Sequence, residues 1–313
     1  MTHIVGAQRG ILRAQPHREP GDTLVPMTLA VVTDSAACLP PALAADRGID
    51  VVTLPVLPGD DGGASATTSR PSVETLAEVY EAALGRADQV LALHLTSALS
   101  GTVENARRAA AQVLGQADGA ADGTTGGVDG DRLLVLDSGV SAGALGLAAL
   151  AASRADDLRR GAGLARESAA RSYLFFVVDS LTELRRGGRV DRSTAILGGA
   201  LGIRPILRAD ACGVGVVETV RGAARARRAL IAQAALAAGG TTLHGPRVPA
   251  SPVRVAVHYA DDPQDGQDLE DELADALAAT GAVIDSILRS PIDEALRVHV
   301  GPGALGVVVA PAV

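Results

Sequence analysis

Residues 90–102, VLALHLTSALSGT, decide the fold, because they join a short apolar run to a helix-like pattern through a cluster of hydroxyl residues and glycine. The same arrangement recurs at residues 29–35, LAVVTDS, and at residues 133–141, LLVLDSGVS. A fourth turn, residues 67–72, TTSRPS, opens a helix in the same way without a clear strand before it. Apolar strands that alternate with helices predict a parallel sheet covered on both faces.

The four turns also predict a ligand site. In a parallel α/β sheet such turns gather at the carboxyl ends of the strands, where ligands bind. Small hydroxyl groups and the backbone N–H groups of helix starts suit a carboxylate or a phosphate. Ser, Thr and Asp are also the preferred N-cap residues of helices, and for any single turn that interpretation is sufficient. The recurrence of four such turns favours a ligand-binding site over helix capping alone.

The composition excludes several classes of function. Of the 313 residues 47% are hydrophobic and 2% aromatic, so the core must consist of aliphatic side chains. All 28 basic residues are arginine, which excludes a Schiff-base lysine and a Walker-type phosphate loop. A net charge of −8 leaves no basic footprint for nucleic acid. No stretch is long and apolar enough to predict a membrane span.

The two cysteines, Cys38 and Cys212, have no metal-ligand spacing and predict neither a metal site nor a disulfide framework. We expect reduced thiols and a cytoplasmic protein. Residues 1–26 carry arginine and proline without an apolar stretch, which predicts a disordered extension rather than a secretory signal. The alternating pattern predicts an α/β domain over residues 27–160. A different, mixed α+β pattern predicts a second domain over residues 170–313.

Seven segments, in order along the chain, resemble the DegV family, lipid-binding proteins that hold one fatty acid between two α/β domains. The segments are VVTDSAACLP at 31–40, TTSRPS at 67–72, LTSALSGT at 95–102, VLDSGVSAG at 135–143, LRRGGRV at 184–190, RPIL at 204–207 and HVGPGALG at 299–306. The resemblance implies an N-terminal three-layer α/β/α domain with a parallel sheet and a C-terminal two-layer domain with a mixed sheet. It also implies a carrier without catalytic activity or cofactor, which presents a long-chain fatty acid to a separate ATP-dependent fatty acid kinase.

The resemblance further implies a head-group site built from Thr68, Ser69, Ser97 and His299. A carboxylate whose tail lies in an apolar pocket must accept several hydrogen bonds or become protonated, and hydroxyl groups supply such bonds without a net charge. Family members usually carry glutamine where this chain has Arg70, which adds a charge beside the head-group turn. His94, inside an apolar strand, is predicted to be a hydrogen-bonded core histidine.

Two further arginines are candidates for contacts with the head group or with a partner. Arg189, after Gly187 and Gly188, either points a guanidinium at the head group or closes a turn. Arg221 precedes a helix rich in arginine, which either faces the kinase or forms a solvated surface.

A serine hydrolase is the competing function. Residues 139–143, GVSAG, match the G-x-S-x-G pattern of a nucleophile elbow between a strand and a helix. In that interpretation Ser141 is the nucleophile, His258 or His299 the base, and Asp293 the residue that orients the base. The sequence has no oxyanion loop of the His-Gly-Gly type to complete such a site.

Overall fold

Five strands form a first, mainly parallel sheet. They are β1 (Leu29–Asp34), β2 (Ile49–Val52), β5 (Gln89–His94), β6 (Asp129–Gly130) and β7 (Leu133–Asp137), in the order β2-β1-β5-β7-β6. Strand β6 pairs antiparallel with β7, and the other pairs are parallel. A two-stranded ribbon, β3 (Val56–Leu57) and β4 (Thr67–Thr68), lies outside this sheet. The computed structural model describes residues 28–59, 66–115, 129–190, 202–239 and 251–313, so the expected extension at 1–26 lies outside the described residues.

Both faces of the first sheet are buried, as its apolar strands predict. Val90 and Ala92 face a core that includes Leu76 and Tyr80. Leu91 and Leu93 face the opposite core, which also takes in buried residues of the second sheet. The helices of this half are Pro41–Asp46, Val73–Leu84, Thr102–Val113, Gly143–Ala152 and Leu158–Ala170.

The second sheet is mixed. Its strands are β8 (Tyr173–Val177), β9 (Ile203–Asp210), β10 (Gly213–Arg221), β11 (Val253–Tyr259), β12 (Ile284–Pro291) and β13 (Leu305–Pro311), in the order β10-β9-β8-β13-β11-β12. Strands β11 and β12 are parallel, and the other described pairs are antiparallel. The helices here are Thr182–Arg186, Ala223–Ala237, Pro263–Thr280 and Glu294–Val300.

The helix Gly143–Ala152 connects the two halves. It is apolar on all sides, and nearly every residue in it is buried. Such a helix requires packing partners all round, and it contacts β1 and β5 of the first sheet as well as β8, β11 and β13 of the second. The predicted fold class, a parallel α/β sheet followed by a mixed sheet, is confirmed. The domain limits of 27–160 and 170–313 stay a prediction.

Candidate ligand-binding site

A cavity of about 420 Å³ lies between the two halves, within the range of about 300–1,000 Å³ common for ligand pockets. Its wall is largely aliphatic, with Leu54, Leu95, Leu174, Phe176 and Leu296 as examples. Its polar lining consists of hydroxyl, imidazole and guanidinium groups, from Thr68, Ser69, Arg70, Ser100, Ser141, Arg189, His258 and His299. None of the described lining residues is acidic.

Thr68 and His299 join the two halves at this cavity. The Thr68 hydroxyl lies 2.8 Å from Nε2 of His299, which belongs to the last turn of the helix Glu294–Val300. Thr68 ends β4, and the next residue, Ser69, donates its backbone N–H to the Pro55 carbonyl at 3.0 Å. The β3–β4 ribbon therefore fixes the TTSRPS turn against the second half.

The His299 imidazole is neutral at pH 7. Burial, followed by the nearby charges of Arg189 and Arg186, lowers the pKa of His299 to about 4. A neutral imidazole has one donor and one acceptor nitrogen, so it orients a hydroxyl or a ligand oxygen without adding charge. Gly187 permits this position, since a Cβ there would lie 2.6 Å from Nδ1 of His299.

The LTSALSGT turn contributes Ser100 and Gly101 to the cavity wall. Ser97, the predicted contact in this turn, is exposed and is not among the described lining residues. Its backbone N–H donates to Oδ1 of Asp137 at 3.2 Å. Ser100 Oγ accepts the Thr102 N–H at 3.3 Å at the start of a helix. This helix-start position is the sequence signal that could have identified Ser100.

The two candidate arginines lie in different places. Arg189 lines the cavity, and its Nε donates to the Leu99 carbonyl at 3.2 Å. A second bond, from Nη1 of Arg189 to the Gly187 carbonyl, fixes the guanidinium beside the His299 helix. Arg221 is exposed at the end of β10 and is not among the described lining residues. The structure thus brings Arg189, but not Arg221, to the cavity.

His258 is a polar wall residue, and the sequence suggests for it only the role of a catalytic base. It is 1% exposed. The Gly143 backbone N–H donates a hydrogen bond to its Nε2 at 3.0 Å. Its Nδ1 lies 3.1 Å from the Ser290 hydroxyl, which itself donates to the Cys38 carbonyl at 2.6 Å. These bonds assign the proton to Nδ1. Burial lowers the pKa of His258 to about 4, so it links the two halves as a neutral group.

The hydrolase residues do not form a triad. Ser141 is buried and lines the cavity, but the residue with the strained positive φ is Ala142, at 50°, whereas in a nucleophile elbow the serine itself occupies that position. In the described part of the chain no histidine is hydrogen-bonded to Ser141, since His258 and His299 contact other groups. Asp293 caps the helix Glu294–Val300 by accepting the Ala295 N–H at 3.0 Å.

A buried polar chain supports the LTSALSGT turn from beneath. Asp34 Oδ2 lies 3.0 Å from both Nδ1 of His94 and the Leu95 backbone N–H, and Nε2 of His94 lies 2.7 Å from the Tyr80 hydroxyl. Asp34, His94 and Tyr80 are each 0% exposed. The prediction of His94 as a hydrogen-bonded core histidine is confirmed.

Neither metal binding nor a membrane span has support in the described ranges. Their His, Cys, Asp and Glu side chains include no group of three or more placed to hold a metal ion. Among the same residues, no helix has the length and apolar character needed to cross a bilayer.

Comparison with known proteins places this architecture in one family. The DegV family model matches residues 60–312. A DegV domain-containing protein of Streptomyces coelicolor is 33% identical over 304 residues, covering 90% of this chain and 98% of the relative. The chain therefore belongs to the DegV family.

Solved structures of related proteins share the fold, among them two from Corynebacterium glutamicum and Thermus thermophilus. The crystal structure of a DegV family protein from Corynebacterium glutamicum is 29% identical, with a TM-score of 0.74 over 92% of this chain and 99% of its own. A DegV family protein from Thermus thermophilus, whose structure describes fatty acid binding, is 28% identical, with a TM-score of 0.73 over 91% of this chain and 100% of its own.

Proposed function

We propose that this protein binds one long-chain fatty acid in the cavity between its two halves. The observation that carries the proposal is an aliphatic cavity with the Thr68–His299 pair, Ser69 and Ser100 in its wall. The relative from Thermus thermophilus is a fatty-acid-binding protein, which supports the same ligand class here. Burial of each methylene contributes about 0.8 kcal/mol, so a tail of roughly sixteen carbons offers about 12 kcal/mol before association costs.

The carboxylate is proposed to lie against Thr68, Ser69 and His299. Hydroxyl donors and a neutral imidazole can hydrogen-bond an anion in a half-buried site, and Arg189 supplies a positive charge nearby. Ser100 replaces Ser97 in this proposal because Ser100 lines the cavity and Ser97 does not. The protein needs no cofactor for this role.

Mass spectrometry of lipids extracted from the purified protein tests the proposal. We expect one fatty acid per chain. Ala209→Phe, which enlarges a side chain on the cavity wall, is the cavity-filling variant and should lower the lipid content relative to wild type. Wild-type protein without lipid, or equal lipid in both proteins, would contradict the proposal.

The bound fatty acid is proposed to be handed to a separate ATP-dependent kinase, and this protein is proposed to have no catalytic activity of its own. Arg70 of the TTSRPS turn is exposed, so the head-group end of the cavity is within reach of a second protein. The sequence has no lysine for a Walker-type phosphate loop, which supports an external source of phosphoryl transfer. Acyl phosphate, trapped as its hydroxamate, should form only when a fatty acid kinase and ATP are both added. Formation without the kinase would overturn this part of the proposal.

A further inference from the structure

Ser141 places a buried hydroxyl group in the wall of the cavity. The residue is only 4% exposed, and it lines the cavity. Two other hydroxyl groups of the wall have partners within the protein, since Thr68 bonds to His299 and Ser100 bonds to Thr102. Among the residues that the structure describes, none forms a hydrogen bond with the Ser141 side chain. A buried hydroxyl normally has a partner, because burial without one is costly, and here the cavity leaves that place to a ligand.

Helix capping does not account for this serine. The helix Gly143–Ala152 has Ala142 as its N-cap, and no side chain caps it. The N–H of Gly143 donates to His258 instead of to a serine hydroxyl. Ala142 has a φ of 50°, a strained value for a residue with a Cβ, and it separates Ser141 from the helix. Ser141 therefore has no structural use for its hydroxyl at this helix start.

His258, the neighbouring polar group of the wall, has no free hydrogen-bonding capacity. Its Nε2 accepts the Gly143 N–H at 3.0 Å, and its Nδ1 lies 3.1 Å from the Ser290 hydroxyl. A neutral imidazole has one donor and one acceptor, and both are used here. Consecutive Cα atoms are about 3.8 Å apart, so the Cα of Ser141 lies within about 7.6 Å of the Cα of Gly143. Ser141 is therefore the hydrogen-bonding group available to a ligand beside His258.

This part of the wall is uncharged, unlike the proposed head-group site. Burial and nearby arginine charges lower the pKa of His299, whereas burial lowers the pKa of His258. His258 pairs with Gly306 of β13, and Gly306 pairs with Phe176 of β8, so the three form one row of the wall. Ser141 lies beside this neutral row, which suits the hydrocarbon chain of a ligand rather than its carboxylate.

We propose that Ser141 forms a subsite for a hydroxyl group on the chain of the bound fatty acid, and that the preferred ligand is therefore a hydroxy fatty acid. This inference rests on the proposed function. A serine hydroxyl both donates and accepts, so it pairs with a second hydroxyl away from water. A site built around such a pair discriminates against the analogue that lacks the hydroxyl, because the buried protein group is then left unpaired. Ser141 is then the residue that determines specificity for the hydroxylated chain.

Binding of stearate and of 3-, 8-, 10- and 12-hydroxystearate to wild-type protein, Ser141→Ala and Ser100→Ala tests the subsite. We expect wild type to prefer one isomer, or two with neighbouring hydroxyl positions, over stearate. Ser141→Ala should bind that isomer about ten-fold more weakly, as for a buried hydroxyl that loses its partner, and should bind stearate within about two-fold of wild type. Ser100→Ala is the control from the proposed head-group site, and it should weaken stearate and every isomer by the same factor.

The other results separate this inference from the proposed function. Equal weakening of stearate and the hydroxystearates in Ser141→Ala would assign Ser141 to the carboxylate and overturn the subsite. An equal effect at every hydroxyl position, or no effect at any, would also overturn it, as would tighter binding of stearate than of every isomer to wild type. In each of these cases stearate binding to wild type upholds the proposed function. Binding of neither stearate nor any hydroxystearate to wild type overturns the proposed function itself.

Discussion

The Thr68 hydroxyl lies 2.8 Å from Nε2 of His299, although 231 positions separate the two residues in the chain. This bond joins the β3–β4 ribbon to the helix Glu294–Val300 at the cavity wall. Its geometry depends on the backbone of Gly187, which passes close to the other nitrogen of the ring. Substitution of Gly187 therefore alters the proposed head-group site without removing any of its polar side chains.

Gly187→Ala should weaken fatty acid binding, because the new Cβ would lie 2.6 Å from Nδ1 of His299 and displace the ring. The backbone at Gly187 has a φ of −72°, which alanine adopts without strain. Gly188→Ala is the control, since its Cβ would meet nothing within 4 Å while its φ of +70° disfavours alanine. It should lose about 1 kcal/mol of stability and keep its ligand affinity. Titration with a fluorescent fatty acid and urea unfolding measure the two effects, and equal affinities in both variants would contradict the role given to Gly187.

Ser100→Ala and Ser97→Ala distinguish the two serines of the LTSALSGT turn. Ser100→Ala removes a hydroxyl from the cavity wall and should weaken palmitate binding roughly ten-fold, as expected for a hydrogen bond to a charged group. Ser97→Ala should bind as wild type does, because Ser97 is exposed and only its backbone N–H is bonded to Asp137. Isothermal titration checks both affinities. Weaker binding in Ser97→Ala alone would show that Ser97, and not Ser100, contacts the carboxylate.

The sequence predicted the sheets better than the cavity wall. Apolar runs and helix starts reveal strand and helix positions, because burial on both faces imposes them locally. The TTSRPS and HVGPG segments also drew attention to Thr68 and His299, which the fold places in contact. Which serine of a turn lines the cavity depends instead on how the turn packs against residues distant in sequence. The bond from Ser97 to Asp137 is one such contact, and local pattern does not show it.

The structural role of His258 is even harder to predict from local sequence pattern. Its role depends on Gly143, Ser290 and Cys38, which lie on three separate segments. Spacing along the sequence relates none of them. The close fit is visible only in space, where a Cβ on Gly143 would lie 2.4 Å from Nε2 of His258.

Lowering the pH should destabilise the protein through His258. Its pKa is about 4 in the folded state and 6.5 as its ordinary value, so the unfolded chain binds more protons between these limits. The stabilising contribution is therefore complete above pH 6.5 and falls as the pH decreases towards 4, by about 2 kcal/mol between pH 7.5 and 5. Urea unfolding of wild type and His258→Gln measures it. The variant should be less stable at pH 7.5 and show a flatter pH dependence, and identical slopes would contradict the assignment.

Ser141 should not react as a nucleophile. The strained position of the turn belongs to Ala142, and no histidine in the described residues is bonded to Ser141. A fluorophosphonate probe should leave Ser141 unlabelled, and Ser141→Ala should retain the bound lipid. Stoichiometric labelling of wild type that Ser141→Ala abolishes would establish the hydrolase instead.

Arg221→Ala should separate ligand binding from the proposed transfer to a fatty acid kinase. Arg221 is exposed at the end of β10 and is not among the described residues that line the cavity, so its removal should leave the lipid content unchanged. If the arginines at this end of the sheet face the kinase, loss of the Arg221 charge should slow acyl phosphate formation. Added salt, which screens the same charges, should also slow the wild-type reaction. The control is Arg171→Ala, which removes an exposed arginine paired with Glu167 on a helix of the other half. Lipid loss in Arg221→Ala would place the residue in the head-group site, whereas equal phosphorylation rates in both variants would exclude this surface from the kinase contact.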